Sequence, residues 1–83
     1  MNMKKPWYIV EYEEKTYLHN KTIQRKKNAF KSNQHEHCEL CWARFSPHQN
    51  DLQFGYYEPD SQSWICDTCC NDFKNLFKWT IEE

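Results

Sequence analysis

His37-Cys38-Glu39-Leu40-Cys41-Trp42, "HCELCW", is echoed by "WICDTCC" at residues 64–70. Each stretch carries a Cys-x-x-Cys pair beside a tryptophan. Cys38, Cys41, Cys66 and Cys69 together spell C-x2-C-x24-C-x2-C. Zinc takes four thiolate or imidazole donors in a tetrahedron, and a Cys-x-x-Cys turn brings two sulfurs onto one ion. Two such turns close a structural site, so these four cysteines are the expected ligands of one structural zinc ion.

The elements around the two pairs follow from residue pattern. "LQFGYY" (52–57) and "SWIC" (63–66) read as two strands, joined by "EPDS" with Pro and Asp in turn-favoured positions. Gly55, the only glycine, falls inside the first strand, where it signals a bulge or a close backbone approach. Beyond Cys66 the period changes. Cys69, Phe73, Leu76 and Phe77 recur at i, i+4, i+7 and i+8, the pattern of an amphipathic helix. Asp67 and Thr68 are placed to cap it, and Trp79 and Ile81 to continue as a closing strand. Knuckle, hairpin, then a helix carrying the last ligand in its first turn is the order of a treble-clef finger. The helix N-terminus offers N–H groups and partial positive charge to the thiolates.

Upstream, "WYIVEYEEKTYLH" (7–19) is rich in β-branched and aromatic residues on either side of Glu13-Glu14-Lys15, which predicts a hairpin. A lone hairpin is unstable in water, so it must pack on the zinc-binding part. Residues 20–36 are polar and basic, with Ile23 and Phe30 seven apart, which predicts a short helix or an ordered crossover. The expected fold class is α+β: a small zinc-stabilised treble-clef finger of knuckle, β-hairpin and C-terminal helix, with an N-terminal β-hairpin packed on it. The expected organisation is one domain over 1–83, with hairpin and basic connector at 7–36 and the zinc-binding portion at 37–81.

Composition explains why a metal is wanted. The chain has 83 residues, 39% of them apolar, and 17% are aromatic; mean hydropathy is −1.10. A chain this small buries a modest share of its surface and needs a staple. Large rings must supply the core, and Trp42, Phe45, Trp64, Phe73 and Phe77 are the expected ones. The net charge of −1 speaks against a generically basic nucleic-acid binder. The N-terminus lacks the apolar core of a signal peptide, and no run reaches the ~18 apolar residues of a membrane span. A cytoplasmic location with no membrane partner is expected. Thiols stay reduced there, and five cysteines fit metal ligation better than disulfides. Cys70, the fifth, reads as a small apolar residue on the helix, although it is an alternative ligand to Cys69. His37, next to Cys38, reads as a hydrogen-bonding neighbour of the knuckle rather than a ligand.

Catalysis is not expected. Nucleases of the HNH type use a ββα-metal core with histidines on hairpin and helix. Here "LQFGYYEPDSQSWIC" and "CCNDFKNLFKW" contain none. Four cysteines close the coordination sphere that a catalytic zinc must leave open. No nucleophile–base pair or phosphate-cradling loop is present, and no small-molecule substrate is expected.

"HCELCWARFS", "GYYEPDSQSWICDTC" and "NDFKNLFKW" resemble a group of small uncharacterised bacterial zinc-finger proteins. Their pattern runs His-Cys-Glu-x-Cys, Gly-Tyr, Trp-Ile-Cys-x-x-Cys, Asp-Phe-Lys and Phe-x-Trp. The likeness spans about residues 37–79 and departs at Cys70, where the pattern has an aromatic residue. It implies zinc on Cys38, Cys41, Cys66 and Cys69 and no established activity.

Two functions are compatible with these residues. The first is a zinc-stapled adaptor or inhibitor-type protein, immunity-like or regulatory, that binds another protein. Tyr8, Tyr12, Tyr17, Tyr56 and Tyr57 are its candidate contact residues, because tyrosine is a favoured interface anchor. The alternative is nucleic-acid binding through Lys21, Arg25, Lys26, Lys27 and Lys31, with Arg44, should they share one face.

Overall fold

A computed structural model describes residues 6–82. In chain order its elements are α1 (Trp7–Glu14), a 3-10 turn (Thr16–Leu18), β1 (Thr22–Lys27), β2 (Glu36–His37), β3 (Arg44–Phe45), β4 (Phe54–Glu58), β5 (Ser63–Ile65), α2 (Asp67–Phe77) and β6 (Thr80–Glu82). The protein is α+β. Four strands form one sheet in the order β5-β4-β1-β6, and β2 pairs with β3 in a separate ribbon. None of the described helices is long and apolar enough to cross a membrane.

Strand pairing follows the alternation of side chains. β1 runs antiparallel to β4, with Arg25 opposite Tyr56, and parallel to β6, with Ile23 opposite Ile81. Tyr56 in turn faces Ile65 across the β4–β5 hairpin. The Arg25–Asp67 ion pair places the start of α2 on the face carrying that row. The opposite face carries Trp64 and Tyr57, one residue out of phase. Phe45 and Phe30 pack there against Trp64, with ring centroids 5.3 and 5.6 Å away. The sheet is thus covered by a helix on one side and by the knuckle segment on the other.

Gly55 shows why this second layer fits. A Cβ at Gly55 would sit 2.5 Å from Cε1 of the buried Phe45 and 2.9 Å from the Ile65 carbonyl oxygen. The glycine marks a close approach, one of the two readings its position allowed. Leu18, Ile23, Phe45, Ile65, Phe73 and Phe77 are all nearly solvent-free, and residues from both the N-terminal and the cysteine-bearing parts share this cluster.

Residues 7–19 depart from the expected hairpin: they form α1 and the 3-10 turn. The Pro6 carbonyl accepts N–H bonds from Ile9 and Val10 at 3.0 and 3.2 Å, and Glu11 pairs with Lys15 one turn on at 3.5 Å. β-propensity is realised only against a cross-strand neighbour, and the sheet positions are taken by β1, β4, β5 and β6. The connector is corrected too, because a strand rather than a helix occupies 22–27. Only Ile23 of β1 is buried. Its basic side chains lie along rings, with Lys26 Nζ 4.8 Å from the Tyr57 centroid and Arg25 Cζ 5.3 Å from Tyr56, so apolar stems cover aromatic surface while charges reach water.

Candidate metal centre

Two turns deliver the four sulfurs. The first is the β2–β3 ribbon, whose loop holds Cys38 and Cys41. It is closed by N–H bonds from Cys38 to the Ala43 carbonyl at 2.8 Å and from Trp42 to the Cys38 carbonyl at 3.0 Å. The Glu39 N–H donates to the Trp64 carbonyl at 2.8 Å, which ties this loop to β5. The second is the passage from β5 into α2. Cys66 is the N-cap of α2, and its sulfur accepts the N–H of Cys69 at 3.4 Å. The expected caps, Asp67 and Thr68, do not serve. The cysteine side chain takes that position, and Asp67 turns outward to Arg25. The Cys66 N–H donates to the Cys38 sulfur at 3.3 Å.

All four sulfurs lie within 4.8 Å of one another, and those of Cys41 and Cys66 are 3.5 Å apart. A tetrahedron with Zn–S bonds of about 2.3 Å has sulfur–sulfur edges of about 3.8 Å. The cage therefore has the dimensions and donor set for one metal ion. The thiols are electrostatically linked. The Cys38 thiol is lowered to about 4, first by the side-chain hydrogen bond of Cys69, against the opposing effect of burial. Burial first, then the Cys38 charge among lesser causes, pushes Cys66 up to about 11. Cys69 is raised as well, chiefly by its bond to Cys38. Sulfurs this close share one negative charge unless a cation sits among them.

Cys70 is buried on α2 outside this cluster, and burial raises its thiol, as expected for a packing residue. His37 is not among the clustered groups; its ring lies 5.3 Å from that of Trp42.

The tryptophans do not both shield the site. Trp64 is buried, but Trp42 is 72% exposed, so its assignment to the core is corrected, and Cys41 is exposed beside it. The reason is the backbone. Trp42 has φ 68°, the left-handed conformation that closes the knuckle, and this directs the indole away from the core.

The other nominated residues are scattered. Tyr8 and Tyr17 are exposed, whereas Tyr12, Tyr56 and Tyr57 are half-buried against the core. The Tyr17 hydroxyl donates to the Glu39 carboxylate. Lys21 pairs with Asp60 at 2.7 Å, Arg25 with Asp67, and Arg44 with Asp51 at 2.8 Å. Arg25 and Lys27 alternate with Lys26 along β1 and so face opposite sides. Lys31 is exposed beyond that strand.

Residues not singled out from sequence complete the frame. Buried Glu58 accepts the N–H groups of Asp60 and Ser61, each at 2.9 Å, and so holds the β4–β5 turn. A carboxylate directly before Pro-Asp is the signal that could have found it. The Asn28 amide donates to the Leu52 and Ser46 carbonyls at 2.9 and 3.1 Å. Trp79, expected in the closing strand, directly precedes β6, and its Nε1 donates to the Leu18 carbonyl at 2.7 Å.

Compared with protein-family models, curated proteins and solved structures, the chain matches none.

Proposed function

We propose that this is a non-catalytic treble-clef module, stapled by one structural zinc ion on Cys38, Cys41, Cys66 and Cys69, that acts by binding another protein through Trp42 and the surface around it. The resemblance to small bacterial zinc-finger proteins belongs to the same reading. Four sulfurs in a tetrahedral cage suit zinc or iron, and zinc needs no redox role that this fold would have to serve.

The observation that carries the reading is Trp42. A bulky residue at φ 68° occupies a turn position that glycine would fill without strain. Its side chain is 72% exposed and contributes little to the core. Strain at a residue that stability does not need is the mark of a site kept for something else, and exposed tryptophans are strong interface anchors. Beside it lie Lys15, His37 and Glu39, which line a recess of about 200 Å³.

The test is Trp42→Gly. Removing the left-handed strain should leave stability unchanged or raise it by about 1 kcal/mol. Native mass spectrometry should find one zinc in both proteins and a stoichiometric protein partner on the wild type alone. A partner held equally by the variant would remove Trp42 from the interface. An absorption band in the visible would replace zinc by iron.

A second reading rests on Lys26 and Lys27, which have no carboxylate partner among the described residues and lie beside Tyr57 and Phe54. Cations interleaved with rings suit single-stranded nucleic acid. Recovery of salt-releasable nucleic acid in place of a protein would favour it.

A further inference from the structure

The cleft between α1 and α2 has a different chemistry from the Trp42 surface. It holds about 310 Å³ and is lined by Trp7, Tyr8, Asp72, Phe73 and Leu76. Three of these are aromatic. The rings of Trp7 and Tyr8 stand at 82° with centroids 6.2 Å apart. Trp7 meets Phe73 at 68° and 5.4 Å. Phe73 is buried and forms the floor, while Trp7 is 61% exposed. Contact with Phe73 therefore leaves most of the indole open.

Among the described residues, the only ionic group lining the cleft is the Asp72 carboxylate. It has no ion pair or hydrogen bond among the described residues. The adjoining helix, "WYIVEYEE", carries no cation. Rings offer negative faces to a cation, and an unpaired carboxylate beside them raises the local cation concentration. An anionic occupant would meet repulsion, and a purely apolar one would leave the carboxylate to be desolvated without compensation.

We infer that this cleft binds the ammonium head of a lysine side chain on a partner protein, held between Trp7 and Tyr8 over Phe73 with Asp72 as counter-ion. N-methylation of that lysine strengthens the fit, because a larger, weakly hydrated cation contacts more ring surface and is cheaper to desolvate. The inference deepens the protein-binding reading and rests on it for the source of the lysine, but the cleft's chemistry can be tested without the partner.

The experiment titrates the zinc-loaded full chain with three capped pentapeptides while amide and indole N–H resonances are followed. One peptide carries lysine, one trimethyl-lysine, and one the neutral carbon isostere with a tert-butyl head. Saturable shifts at the Trp7 indole and at Tyr8, Asp72 and Leu76 are expected, with Kd on the order of 1–10 mM. Trimethyl-lysine should bind tightest and the neutral isostere roughly 5-fold or more weaker than it. Trp7→Leu, which keeps an apolar cover on Phe73, and Asp72→Asn should each weaken trimethyl-lysine binding by roughly 5-fold, with spectral dispersion retained. Equal binding of the isostere would overturn the inference in favour of an apolar groove, and so would no shift at tens of mM. Trp42→Gly should leave these titrations unchanged. Peptide failure with Trp42-dependent partner capture intact would remove this site alone. Peptide binding without any protein partner would leave a cation site and remove the docking reading.

Discussion

α2 and α1 are held in opposite ways. α2 buries Cys69, Cys70, Phe73 and Phe77, and its N-cap is the sulfur of Cys66. α1 buries no residue completely and starts at Pro6 without a side-chain cap. It reaches α2 through two edge-on ring contacts, Trp7 on Phe73 and Tyr12 on Phe77, each at 5.4 Å. Clustered cysteines, core rings and helix cap coincide in α2, so its position depends on one centre. α1 depends on a few aromatic edges. Where the chain needs a fixed frame it uses the cysteines, and where it offers open rings, Trp7 and Tyr8, it uses the loosely seated helix.

Removing the metal is the harshest way to challenge this contrast. Chelation, or Cys66→Ser, should abolish cooperative folding, because ligand binding and folding are one event in small metal-stapled domains and a domain's whole stability is only about 5–15 kcal/mol. Acid should do the same as protons displace the metal from the thiolates. Cys70→Ala should cost about 1–2 kcal/mol, the loss of a small buried group. Circular dichroism before and after chelation decides it. A spectrum unchanged at complete metal removal would make the cysteine cage an accessory of the core.

Gly55→Ala comes next. The added methyl meets the buried Phe45 ring at 2.5 Å and backbone at 2.9 Å, so neither side can yield cheaply. Overpacking of this kind costs typically about 1–3 kcal/mol, and in a domain of this size the melting temperature falls by about 4–8 °C per kcal/mol. Metal stoichiometry should persist, because the atoms nearest the methyl belong to Phe45 and Ile65 and not to the cysteines. Loss of metal together with stability would mean that the sheet's second layer and the cage are one unit.

The two regions were also unequally legible in the sequence. A metal cage is specified by spacing, and Cys38, Cys41, Cys66 and Cys69 converge as C-x2-C-x24-C-x2-C requires. The β4–β5 hairpin followed from two aromatic-bearing runs joined by a Pro-Asp turn, and α2 from the i, i+4, i+7 pattern. Residues 7–14 carried no such constraint. Trp7, Tyr8, Ile9 and Val10 suit a strand or a half-exposed helix equally, and the decision lay with distant partners: β1 fills the sheet and Phe77 offers Tyr12 a ring to lean on. The β1 strand was hidden by its own lysines, whose stems find rings only after Phe54 and Tyr57 arrive from thirty residues on. Trp42 was misplaced for a local reason, since the sequence does not announce a left-handed turn at a tryptophan.

Tyr12→Ala should have the smallest effect and is the most exacting test of the contrast. Tyr12 stacks on His19 at 4.1 Å, and its carbonyl bonds His19 Nε2 at 2.6 Å. Truncation removes the stack and the Phe77 edge but leaves that main-chain bond available. The tyrosine is half-buried, so the expected cost is about 1 kcal/mol. Amide exchange should locate the loss. Protection should fall over 7–14 while Ile23, Ile65 and Phe73 keep theirs, as independent opening of a weakly held element requires. If the variant instead loses protection throughout, or drops its metal, α1 is part of the same cooperative unit as α2. The ring edges at Phe73 and Phe77 would then be the joint through which occupancy of the α1–α2 cleft reaches the helix that carries Cys69.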